Sequence, residues 1–172
     1  MAKKVALVIA HTGYQHVEYS TPKNIIESAG FQVVILSNKK GTATADNKSK
    51  THIDADIEHT NPEHFEAIIF IGGPGALEAL DNDVSYQFIQ QAVVAEKVAA
   101  AICSATRILA KAGALISKTA TGWDGDNQLK AIYDAHGALY DSTSSIVTDG
   151  TIVTAQGPQV ATEFAYAILQ LI

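Results

Sequence analysis

Val98-Ala-Ala-Ala-Ile-Cys103-Ser104-Ala-Thr-Arg-Ile-Leu109 runs from an unbroken apolar stretch, through a cysteine, into small residues and then a segment of helical spacing. A short apolar run bounded by a turn fits a strand buried on both faces, as in a parallel sheet covered by helices. Residues 4–10, 31–37 and 67–71 are three further runs of the same kind. Helical spacing lies between the runs, at 18–29 before Gly30, at 84–95 after Asp81-Asn82-Asp83, and at 104–112 before Gly113. Strand and helix alternate, which predicts an α/β fold around a mainly parallel sheet.

Outward from this frame, residues 39–61 are polar and threonine-rich, with Asp46-Asn47 between 42–45 and 51–57, and predict a small β-excursion at an edge. Residues 145–148 and 151–155 flank Asp149-Gly150, a pair suited to a two-residue type I′ hairpin. A final amphipathic helix is expected over 160–171. With no internal repeat, low-complexity tract or linker, residues 1–172 read as one domain.

Composition narrows the function. The chain is 47% hydrophobic and 17% charged, yet no apolar run approaches the roughly 20 residues of a membrane span. Lys3-Lys4 precede an apolar run that His11-Thr-Gly-Tyr14 ends too early for a signal-peptide core. Eighteen acidic against twelve basic residues, a net −6, is the wrong sign for a protein that binds nucleic acid by neutralising phosphates. The single cysteine excludes an intramolecular disulfide and a multi-cysteine zinc site, so a reducing, cytoplasmic setting is expected. None of the six histidines has metal-ligand spacing, and neither metal nor cofactor is expected.

Three stretches carry the candidate chemistry. Cys103 stands at a strand-to-helix turn, where the helix dipole favours a thiolate and backbone amides hold negative charge; on pattern alone it is equally a small buried hydrophobe. Ile71-Gly72-Gly73-Pro74-Gly75 is a glycine-rich loop that brings backbone to a pocket at the strand ends, although it lacks a dinucleotide fingerprint and its helix is expected only after Asp81. Gly13-Tyr14-Gln15-His16-Val17-Glu18 follows the first strand and emerges at the same edge. Glu18 is a carboxylic acid able to tune a nearby sulfur, or a solvated first-turn residue. His11 or His16 is a candidate base, and Trp123, before the helix-starting Asp124 and Asp126, is a hydrophobic plug or a substrate platform.

Taken in order, these stretches, with Ala29-Gly-Phe-Gln-Val33, Leu109-Ala-Lys-Ala-Gly113, Thr119-Ala-Thr121, Val147-Thr-Asp-Gly150 and Gly157-Pro158, resemble the ThiJ/PfpI superfamily, also called DJ-1-like. The resemblance implies a flavodoxin-like three-layer α/β/α sandwich, akin to class I glutamine amidotransferases, usually homodimeric. It implies a reactive Cys103 on a nucleophile elbow with Glu18 beside its sulfur, and an oxyanion-binding pair of amides at Gly73 and Ser104. Tyr14, His16, Gly72, Trp123 and Pro158 are the remaining pocket candidates. Members include glyoxalases, deglycases, proteases, isonitrile hydratases, oxidation sensors and chaperones, and fold alone does not choose among them. Ser104 replaces the histidine that follows the cysteine in the protease-like branch, and Glu78 lies near the place of that branch's acid. Thr121-Gly-Trp123-Asp124 lacks the deglycase-branch histidine, and no late His-x-Glu supports amidotransfer. The reading that follows is a stress-response protein acting through Cys103 and Glu18 on small reactive carbonyls or their adducts, the alternative being a non-enzymatic redox sensor or chaperone with an oxidisable Cys103, with an intracellular protease behind both.

Overall fold

The computed structural model describes residues 2–172, and in it the four apolar runs are strands of one sheet. In chain order come β1 (Lys4–Val8), β2 (Thr12–Tyr14), α1 (His16–Ser28), β3 (Gln32–Ser37), β4 (Gly41–Ala45), β5 (Lys50–Ile53) and β6 (Ala55–Asp56). Next are β7 (Ala67–Phe70), α2 (Ala76–Leu80), α3 (Asp83–Val94), β8 (Val98–Ile102) and α4 (Thr106–Lys111). The chain closes with β9 (Thr119–Ala120), α5 (Leu129–Ala135), β10 (Leu139–Tyr140), β11 (Ile146–Asp149), β12 (Ile152–Ala155) and α6 (Ala161–Leu169). The large sheet has the order β11-β12-β8-β7-β1-β3-β6, parallel throughout except for β11 against β12.

Side chains alternate across a strand, so β1 sends Ala6 and Val8 into one core and Val5 and Leu7 into the other. The first core is covered by Leu80 of α2, Phe88 and Ile89 of α3, Ile108 and Leu109 of α4, and Tyr133 of α5. Ile26 of α1 with Phe164 and Ile168 of α6 cover the second. Every residue of β7 and β8 is buried, which is why these strands carry no polar alternation. Burial of each large aliphatic side chain contributes about 1.5–3 kcal/mol.

Several elements differ from expectation in local detail. The excursion forms a separate sheet, β2-β4-β5, and the run expected over 51–57 breaks at Asp54. The Asp54 carboxylate accepts the Ile35 amide at 2.7 Å, and β6 then joins the edge of the large sheet. In the hairpin Asp149 pairs with Ile152, so the loop is Gly150-Thr151. Only Gly150 has a positive φ there, +64°, which does not fit a type I′ turn. A short helix, α2, follows the glycine loop directly, ahead of the one expected after Asp81. Residues 103–105 form a 3-10 turn, and the α-helix starts at Thr106.

The segment after β9 is tied down by two buried bonds. The Thr121 amide donates to Thr154 Oγ1 at 3.0 Å, and the Tyr133 hydroxyl donates to the Thr121 carbonyl at 2.8 Å. Thr154→Val keeps the shape and strands a buried amide, so urea unfolding should show a loss of about 1–3 kcal/mol; an unchanged midpoint would mean that the bond holds nothing in place.

Candidate active site

Strands β12, β8, β7 and β1 are neighbours and parallel, so the loops leaving their carboxyl ends meet along one edge of the sheet. Cys103 comes from the β8 loop, Gly73 and Pro74 from the β7 loop, Gln15 and Glu18 from the segment after β1, and Gln156 to Gln159 from the β12 loop. With Leu77, Trp123, Asp124 and Tyr140 they line a cavity of about 800 Å³.

Glu18 shares one face of α1 with Pro22 and Ile26, at i, i+4 and i+8, and that face is the buried one. Its side chain has 0% exposure. Gln15 caps the helix, its Oε1 accepting the Glu18 amide at 2.8 Å, while its own amide donates to the Gly72 carbonyl at 2.9 Å. The Gly72 amide donates to Glu18 Oε2 at 3.0 Å. Glu18 Oε1 is buried and has no hydrogen-bond partner among the described residues. Gly72 is the one residue type the junction accepts. A Cβ there would lie 2.7 Å from Glu18 Oε2 and 2.8 Å from Cys103 Cβ.

Cys103 has φ +61°, in the left-handed region that a non-glycine residue occupies at a cost of about 1–3 kcal/mol. Its carbonyl is pinned by the Thr106 hydroxyl at 3.0 Å and the Trp123 amide at 3.3 Å. The polar groups that act on the proton affinity of the thiol are the Glu18 carboxyl and the Ser104 and Gly73 amides. Both amides expected to bind an oxyanion thus favour negative charge on the sulfur itself. The Ser104 hydroxyl donates to the Gly73 carbonyl at 3.4 Å.

The protonation of the pair differs from the favoured thiolate that the turn predicts. Burial pushes the Cys103 thiol up to about 12, the negative charge of Glu18 adds to this, and the Ser104 and Gly73 amides offset only part of it. A 3-10 turn separates Cys103 from a six-residue α4, so there is little helix dipole to oppose burial. Burial likewise raises Glu18 to about 7, against the pull of Cys103 and the Gly72 amide and with a further push from the Asp46 charge. Near neutral pH the arrangement is a carboxylate poised as a base beside a protonated thiol.

Trp123 is 40% exposed and walls the cavity, with the Arg107 guanidinium 5.3 Å from its ring. Arg107 is buried and bidentate on Asp126, at 3.0 and 2.6 Å, so Asp126 is an ion-pair partner more than a helix starter. Pro158 also lines the cavity. Tyr14 and His16 do not. The Tyr14 hydroxyl is turned to Thr51 Oγ1 at 2.7 Å, and His16 Nδ1 to Asp46 at 2.7 Å. His11 is also absent from the cavity wall, which leaves no histidine there as a base among the described residues. Gly72 acts from behind, on Glu18. Gln15, Leu77, Tyr140, Gln156 and Gln159 were not singled out by sequence, and Asp124 was read only as a helix starter. For Gln15, Leu77, Gln156 and Gln159 the available signal was their place just beyond a strand end.

Residues 3–171 match the DJ-1/PfpI family. The chain belongs to that family. An uncharacterised protein from Methanocaldococcus jannaschii is 31% identical over 170 residues, 98% of this chain and 82% of that protein. General stress protein 18 of Bacillus subtilis is 27% identical over 162 residues, 92% of this chain and 91% of that one. The crystal structure of a ThiJ/PfpI domain protein from Brachyspira murdochii superposes with a TM-score of 0.91 at 27% identity, covering 99% of this chain and 96% of that one. The DJ-1/PfpI architecture is flavodoxin-like, as expected from the sequence. Among the described residues no helix is long and apolar enough to cross a membrane.

Burial of Glu18 gives stability a pH dependence. Its folded value of about 7 lies above the ordinary 4.5, so the folded state binds the proton more tightly. That contribution is full below pH 4.5 and is lost as pH rises through 7. Glu18→Gln cannot ionise, so its unfolding free energy relative to wild type should rise by about 3 kcal/mol between pH 4.5 and 8. A difference that stays flat with pH would show that Glu18 is not desolvated.

Proposed function

We propose that the Cys103–Glu18 pair adds to small reactive carbonyls or their adducts, in a glyoxalase- or deglycase-like reaction. The observation that carries this is a buried carboxyl, raised to about 7, beside a thiol that lines a cavity of about 800 Å³. Ionised Glu18 takes the thiol proton as Sγ bonds to the carbonyl carbon. The π electrons move to the carbonyl oxygen, which receives the proton from Glu18, giving a hemithioacetal. The Gly73 and Ser104 amides stabilise negative charge on sulfur as it forms.

With methylglyoxal, Glu18 then removes the proton from the former aldehyde carbon and returns it to the adjacent carbon, while the hemithioacetal hydroxyl proton passes to the former ketone oxygen, leaving a lactoyl thioester. Water cleaves that thioester to lactate and free thiol, so methylglyoxal and water account for every atom. No external oxidant or reductant is needed. Ser104 beside Cys103 and the absence of histidine from the cavity lining weigh against a Cys-His protease.

The same absence of a second base favours one other reading, in which peroxide oxidises Cys103 to a sulfinate held by Glu18 and the two amides, without turnover. Lactate formation from methylglyoxal separates the two. Wild type should produce it catalytically, with Cys103→Ser inactive and Glu18→Gln slower by at least about 100-fold, the usual scale of general acid–base catalysis. Stoichiometric sulfinate in mild peroxide, with no lactate from any variant, would replace the enzyme reading by the sensor reading.

A further inference from the structure

We propose that the cavity selects carbonyl compounds bearing a positively charged nitrogen group, with Asp124 as the specificity-determining residue. The inference rests on the carbonyl-addition reading of Cys103 and Glu18 and names the charge class that the site admits. Among the described residues lining the cavity, the ionisable side chains are Glu18, Cys103, Asp124 and Tyr140, each neutral or negative, and there is no Lys, Arg or His. Arg107 lies against the Trp123 ring, but it is 4% exposed and its guanidinium is engaged by Asp126. A cleft lined by one sign of charge concentrates ions of the opposite sign.

Asp124 is held in place to provide this charge. Its Oδ1 accepts the Leu129 amide at 2.8 Å. Gly125 beside it packs directly on the Trp123 ring, where a Cβ would lie 2.5 Å from a ring carbon. A carboxylate or phosphate on the substrate would lose its water against Glu18 and Asp124 with no cation to meet it, so anionic carbonyls are rejected.

Charge-matched thiosulfonates test the selection at Cys103 without requiring turnover. In each, the cysteine sulfur attacks the sulfenyl sulfur, the new S–S bond forms as the S–SO2 bond breaks, and methanesulfinate leaves. Rates for aminoethyl (cationic), methyl (neutral) and sulfonatoethyl (anionic) methanethiosulfonate are followed by intact mass and normalised to a free thiol. The cationic-to-anionic ratio should exceed that of the free thiol by at least about tenfold, the lower end of focusing effects. Asp124→Asn, which retains the Oδ1 acceptor for Leu129, should cut that ratio several-fold, and added salt should compress it. A ratio near one, or one indifferent to Asp124→Asn, overturns the proposal. The neutral reagent and the methylglyoxal assay report on the Cys103–Glu18 pair separately. Failure of charge selection with a competent pair is therefore distinct from failure of the pair.

Discussion

The site depends on a carboxyl group removed from water. Glu18 has no exposure, and a buried carboxylate without partners would be expelled or protonated. It is retained because the Gly72 amide and a helix cap at Gln15 hold it beside the Cys103 thiol. Each of these contacts comes from a different strand end. The parallel order of β8, β7 and β1 is thus what creates the environment that raises the Glu18 proton affinity.

Local strain follows from the same requirement. Cys103 adopts a left-handed backbone so that its sulfur meets the Glu18 carboxyl and two amides, while its carbonyl is held by Thr106 and Trp123. Gly72 removes the one Cβ that would separate acid from thiol. The apolar sheet beneath supplies the stability against which such strain is tolerated. It also excludes water, which strengthens every electrostatic interaction above it.

The four-run α/β pattern, the capping of α3 by Asn82 and the elbow at Cys103 were legible in the sequence, because apolar periodicity and cap chemistry act within a few residues. The union of Cys103 with Glu18 was legible only through family resemblance, since it joins positions 85 residues apart. The protonation of the pair was not legible. Turn chemistry predicts a stabilised thiolate, whereas burial, a property of the assembled layers, raises both groups. Tyr14 and His16 show the converse. Their neighbourhood in sequence placed them at the site, but the small sheet β2-β4-β5 draws their polar atoms away to Thr51 and Asp46.

The central claim is that Glu18 acts as the base for Cys103. The rate of Cys103 alkylation by iodoacetamide, followed by intact mass from pH 5 to 10 in wild type and Glu18→Gln, tests it most directly. Wild type should gain reactivity with a midpoint near the Glu18 value of about 7, and Glu18→Gln should lose that limb and react only as the thiol itself ionises at high pH. Superimposable profiles for the two proteins would contradict the account.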